Sequence, residues 1–125
     1  MSEQVSLYQR LGGYDGIATT TDALLRRLRA DPQLARFWAH RSDDGIRREQ
    51  QLLVNFLCDR AGGPMHYVGR DMVTSHKGMK ISESDWSIFL QHLRATLETL
   101  GVPSREAGDV LGFVESVKAE IVELP

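Results

Sequence analysis

Few side chains in this sequence could hold a metal or attack a substrate. There are four histidines, His40, His66, His76 and His92, and one cysteine, Cys58. No two histidines form a His-x-x-x-His pair on one helix, and a zinc site asks for ~three or four ligands. A lone cysteine excludes both an internal disulfide and a Cys-rich zinc site; it reads as a small buried residue. Glu83 and Asp85 follow His76 without completing a ligand set. Ser75 and His76 are neighbours, but adjacency is not a triad, and no Gly-x-Ser-x-Gly elbow appears. One chemistry needs only a single protein ligand. Haem iron is held by one axial histidine, and burial of a flat apolar ring supplies the remaining binding. His76 has suitable surroundings, since Met72 and Val73 precede it and Met79 and Ile81 follow it. One imidazole nitrogen would take the iron, while the other donates its N–H to a carbonyl and fixes the tautomer. A structural histidine between apolar residues would show the same pattern, and both readings stay open on these residues alone.

The elements that must position His76 are helical. Ser6–Leu11 is a short segment closed by Gly12–Gly13. Asp15 can cap a second helix over Gly16–Ala30, whose Ile17, Leu24, Leu25 and Leu28 fall near helical spacing. Asp31–Pro32 stops it, because the residue before a proline leaves the helical region. Pro32 starts a short turn through Leu34 to Trp38. His40–Gly45 reads as a polar loop. A third helix spans Ile46–Arg60, with Ile46, Glu49, Leu52, Leu53, Phe56 and Leu57 on one face. The glycines and proline of 62–81 forbid one long helix there and leave a short turn over Asp71–His76. Ser82 starts a long helix, with Asp85 as the return partner of a capping box. Its apolar face carries Trp86, Phe89, Leu90, Leu93, Leu97 and Leu100, and Gly101 ends it. The last helix runs from Pro103–Ser104 to about Val122, and it should pair antiparallel with its predecessor across Leu100–Ser104. No stretch sustains the period of two that a strand needs. The class is all-α.

The whole chain sets bounds on function. Its 125 residues predict a single domain, 1–125. A formal net charge of −2 and the lack of a basic stripe argue against a nucleic-acid binder. No apolar run approaches the ~20 residues of a membrane span. The opening MSEQVSLYQR lacks the apolar centre of a signal peptide, so a cytoplasmic protein is expected.

Five motifs, in order, give a family resemblance from end to end. These are Leu7–Gly13 (LYQRLGG), Arg29–Leu34 followed by Phe37–Trp38, Phe56–Leu57 leading to Gly62–Pro64, Tyr67 with Gly69–Arg70, Met72 and His76, and Leu93 leading to Gly101–Pro103. Together they resemble a group I truncated haemoglobin, a bacterial-type two-over-two globin. The resemblance implies two antiparallel helix pairs around a haem b, with His76 as the proximal iron ligand. It places Phe37 and Trp38 over the distal haem edge and Phe56 beside them. Met72, Met79, Ile81, Trp86 and Phe89 then become contacts near the ring. Cations are needed at the propionates, and Arg70, Lys77 and Lys80 near His76, or Arg47 and Arg48 on the third helix, can serve. Tyr67 reads as a loop anchor, Tyr8 as core, and His92 as structural.

The distal side departs from the family. Many members carry a tyrosine donor where Leu25 stands here. Many carry His or Gln one turn before the Phe-Leu pair, where Leu52 and Leu53 stand, with Glu49, Gln50 and Gln51 close by. Bound dioxygen gains negative charge that a donor stabilises, so a pocket lined by these leucines should release oxygen faster. Gln50 or the indole of Trp38 could still donate. An internal sixth ligand is a further option, with His40 more reachable than Glu49. The implied function is reversible binding of dioxygen, nitric oxide or carbon monoxide by a monomer or weak homodimer. The alternatives are a nitric oxide dioxygenase or peroxidase-type haem enzyme, which would need a separate reductase because the chain has no nucleotide-binding glycine loop, and a gas sensor or electron-transfer module. A fused sensor is not expected, since no output domain follows within the chain. A helical interaction module without haem is the reading furthest from these.

Overall fold

A computed structural model describes residues 5–64, 67, 69 and 71–124. Among them run α1 (Leu7–Arg10), α2 (Gly13–Ala30), a 3-10 turn (Ala35–Trp38), α3 (Asp43–Arg60), α4 (Met72–His76), α5 (Glu83–Thr99), α6 (Ser104–Ser116) and α7 (Lys118–Ile121). Strand-like pairing among these residues is limited to one parallel bridge between Ser82 and Leu124. Packing is built around α2, which lies against both α3 and α5, while α5 pairs with α6.

The buried positions of α2 are Ile17, Thr21, Leu24, Leu25 and Leu28. They recur at helical spacing and give one apolar stripe. Leu24, Leu25 and Leu28 join Leu34, Trp86, Leu93, Leu97 and Val114 in the main core. Ile17 meets Val54 and Cys58 of α3 in a smaller cluster, with Tyr8 and Tyr14 packed on its edge. The buried hydroxyls are satisfied one turn back, Thr21 donating to the Ile17 carbonyl and Thr96 to that of His92.

Three boundaries differ from the sequence expectation. α2 begins at Gly13, with Gly12 rather than Asp15 at its N-cap. The cause is the tight corner after α1. Gly12 and Gly13 take positive φ, and a Cβ on Gly16 would stand 1.9 Å from the Leu11 carbonyl oxygen. α3 begins at Asp43 instead of Ile46, because Ser42 accepts from the Gly45 amide as its cap. Asp43 and Asp44 then complement the helix dipole in the first turn, so this polar stretch is helical. The last helix breaks at Val117, where the amide bonds three residues back to Val114 instead of four. The Ser116 hydroxyl there donates to the Phe113 carbonyl, competing with the helical pattern.

Other expectations match. Ser82 and Asp85 form a reciprocal capping box at the start of α5. At its end Gly101 has φ 72°, its amide bonds to Glu98, and that of Val102 bonds to Leu97. No helix among the described residues is long and apolar enough to cross a membrane.

Candidate functional site: an apolar cavity facing His76

The helices enclose a cavity of about 940 Å³. Its size falls near the upper end of the ~300–1,000 Å³ typical of small-molecule and cofactor sites. The whole predicted stripe of α3 lines it, from Ile46 through Glu49, Leu52, Leu53 and Phe56 to Leu57. Leu25 faces it from α2, Phe37 and Trp38 from the 3-10 turn, and Trp86 and Phe89 from α5. Met72 and His76 on α4, and Met79 and Ile81 beyond it, line it as well. Trp86 and Phe89 lean on each other with ring centroids 5.2 Å apart, and Phe37 meets Trp38 edge-on at 6.3 Å.

His76 ends α4, a helix of five residues capped by the Asp71 side chain on the Thr74 amide. Its Nδ1 lies 2.8 Å from the Met72 carbonyl oxygen. A carbonyl can only accept, so Nδ1 carries a proton, and in the neutral ring this tautomer leaves the lone pair on Nε2. That arrangement gives an imidazole with a free donor nitrogen on the wall of an apolar cavity. Among the described residues, no group of three or more His, Cys, Asp or Glu side chains could hold a bare metal ion. A planar metal cofactor that brings its own equatorial ligands fits this single nitrogen and these aromatic walls.

Sequence reasoning missed several parts of the lining. Arg41, read as part of a polar loop, joins the expected Arg48 and Glu49 on the wall and pairs with Glu49. Asp85 also lines the cavity, although its sequence signal was only that of a cap. Its carboxylate accepts from Gln33 at 2.7 Å, from Arg36 at 2.6 Å and from the Ser82 amide at 3.0 Å. Burial pushes its pKa up, but the bonds to Arg36, Gln33 and Ser82 prevail and hold it at about 2. Phe113, Val114, Val117 and Ile121 line the cavity from the C-terminal helices.

Some expected contributors lie elsewhere. Lys77 is outside the lining and caps the end of α4, with its charge and that of Lys80 near Glu123. Arg47 pairs with Asp44 on the exposed side of α3, leaving Arg48 as the member of that pair on the wall. Arg70 and His66 lie outside the described residues. His40 is exposed and lines a separate shallow depression with Arg36, Phe37, Arg41, Ser42 and Gly45, so Glu49 and not His40 reaches the cavity. His92 is structural, with Nε2 2.8 Å from Asp31, whose carboxyl that bond holds below the usual range. Tyr67 anchors its loop through its amide to Asp59 at 2.9 Å and also lines the cavity.

The family model for bacterial-like globins matches residues 6–123. This chain is a bacterial-like globin. It is 26% identical over 120 residues to a group 1 truncated hemoglobin of Tetrahymena thermophila, covering 96% of this chain and 97% of that protein. It is 30% identical over 122 residues to group 1 truncated hemoglobin LI410 of Chlamydomonas moewusii, covering 96% and 70%. Truncated hemoglobin from Tetrahymena pyriformis in its Fe(III) form superposes with a TM-score of 0.85 at 24% identity, covering 94% of this globin and 98% of that chain. The fold is that of a truncated globin, with two antiparallel helix pairs around the cofactor site, and the protein is a globin haem protein.

Proposed function

We propose that this globin holds haem b through His76 Nε2 and binds a diatomic gas reversibly, the chain acting as one truncated-globin domain. The observation that carries the reading is the 2.8 Å bond from His76 Nδ1 to the Met72 carbonyl, which leaves the second nitrogen free on the wall of the cavity. When bound, haem would supply an iron able to take dioxygen, nitric oxide or carbon monoxide, with His76 as its protein ligand. The Met72 carbonyl fixes the tautomer and orientation of His76. Met72, Met79, Ile81, Trp86 and Phe89 cover the side nearer His76. Leu25, Leu52, Leu53 and Phe56 cover the far side together with Phe37 and Trp38, and these apolar walls keep water out. Arg48, on the cavity wall, is the cation best placed for the cofactor's carboxylates. Arg70 is a second candidate; Lys77, outside the lining, is a weaker one.

Several donors on the lining are already committed. The hydroxyls of Thr20 and Thr21, both on the lining, are committed to the Gly16 and Ile17 carbonyls. The Gln50 amide donates to Asp22 at 3.2 Å. These commitments support fast oxygen release.

The test is an absorption spectrum of the protein reconstituted with haem, in ferric, ferrous and carbon monoxide forms. The parent should show haem bands that sharpen and shift with carbon monoxide, and His76→Ala should lose or strongly alter them. A parent that takes up no haem overturns the reading, as does a His76→Ala spectrum identical to the parent's.

A further inference from the structure

The segment after His76 has no helix or sheet to hold it. Gly78 has φ 85°, and Lys80 has φ 57°, left-handed backbone that residues with a side chain seldom adopt. α4 itself has five residues, too few to hold a helix without outside support. The support comes from the C-terminal segment. The Glu123 carboxylate takes both loop amides, Gly78 at 3.1 Å and Lys80 at 2.8 Å, one on each oxygen. The amides of Glu123 and Leu124 donate in turn to the Ile81 carbonyl, at 2.8 and 3.1 Å. The Glu83 amide donates to Leu124 at 3.1 Å, which joins the start of α5 to the same segment. Within the loop, the Met79 amide donates back to the His76 carbonyl at 3.1 Å, and α7 packs against α4.

We infer that Glu123 is a positioning residue for His76, its carboxylate setting the backbone that aims the imidazole into the cavity. The inference rests on the reading of His76 as a haem ligand. A carboxylate that accepts two amides at once replaces the missing secondary structure of the loop, and charge-assisted bonds of this kind are the stronger ones. Without it, the left-handed Lys80 has little to hold it, and the relaxation is passed through Met79 to His76. The clamp sits on the same stretch of chain as Val117 and Ile121, which line the cavity. One segment thereby both walls the site and sets the angle of its donor.

The experiment uses the full chain reconstituted with haem and compares Glu123→Ala and Glu123→Gln with the parent. Resonance Raman of the ferrous, ligand-free protein reads the iron–imidazole stretch, and transfer of haem to a scavenging apoprotein reads retention. Glu123→Ala should shift and broaden that band and speed haem loss about three- to tenfold, the range for losing hydrogen bonds at a solvent-exposed carboxylate. Glu123→Gln keeps an acceptor oxygen and the side-chain length, so it should fold and show a smaller change in the same direction. Ser6→Ala, which uncaps α1 without touching this loop, serves as the comparison for a merely structural loss and should leave the band in place. In the haem-free proteins, the Gly78 and Lys80 amides should exchange faster with solvent deuterium in Glu123→Ala. An iron–imidazole band that is present in the parent and unmoved in both Glu123 variants overturns the role of Glu123 alone. A parent without such a band overturns the haem reading beneath it.

Discussion

Leu25 is 8% exposed and stands on the cavity wall, on the side where the proposed function puts the bound gas. Leu25→Tyr adds a phenolic hydroxyl to a surface whose other hydroxyls are already committed. A neutral hydrogen bond is worth about 0.5–1.5 kcal/mol. Oxygen release measured by stopped flow should therefore slow up to roughly tenfold in Leu25→Tyr, with carbon monoxide release changing less. An unchanged oxygen rate would show that another donor already serves. Asp85 invites a different test at the same scale. Its side chain is 2% exposed, and its pKa is lowered from 3.8 to about 2. A carboxylate depressed on folding stabilises the native state above its unfolded pKa and loses that contribution as pH falls through the folded one. Stability should drop between about pH 4 and pH 2, with Asp85 contributing about 2 kcal/mol of the loss. Asp85→Asn should lower stability at pH 7 and flatten this part of the profile, as followed by denaturant unfolding of the haem-free protein.

Among the elements, the corner between α1 and α2 is the most exacting. A methyl on Gly16 would meet the Leu11 carbonyl at 1.9 Å, and backbone cannot give way as a flexible side chain can. Gly16→Ala should cost more than about 2 kcal/mol in unfolding free energy, whereas Gly108→Ala, where a Cβ meets nothing within 4 Å, should not destabilise. The helices were largely legible in the sequence because each carries its own periodicity and cap. The α3 stripe from Ile46 to Leu57 was read correctly as one face, and that face lines the cavity. What escaped was information held between distant segments. Arg41 looked like part of a polar loop because its partner Glu49 and its place on the wall depend on how the 3-10 turn meets α3. Glu123 carried no local signal at all, since its partners Gly78 and Lys80 lie more than forty positions away. Lys77 and His40 lie outside the lining of the main cavity for the same reason. Proximity in sequence to His76, or to a flexible loop, does not fix which way a side chain turns.

For the whole molecule, the cavity is the dominant energetic fact. A void of about 940 Å³ lined by leucines, aromatics and methionines leaves much apolar surface without packing partners. A ligand that fills it in the native state alone stabilises that state by mass action. At free haem ~100 times its dissociation constant the gain is about 2.7 kcal/mol. For a domain of this length that corresponds to a rise in melting temperature of roughly 10 °C. Scanning calorimetry or circular dichroism with and without haem measures it, and coincident melting curves would contradict filling of the cavity.

Arg41 and Glu49 meet where the cavity wall comes to the surface, with side chains 40% and 44% exposed. A link so wetted is worth only about 0–1 kcal/mol. Thermal agitation at that scale leaves it parted for something like a sixth of the time or more. The charge these two side chains bring to the wall is thus held by a contact that water loosens, and not by helix packing.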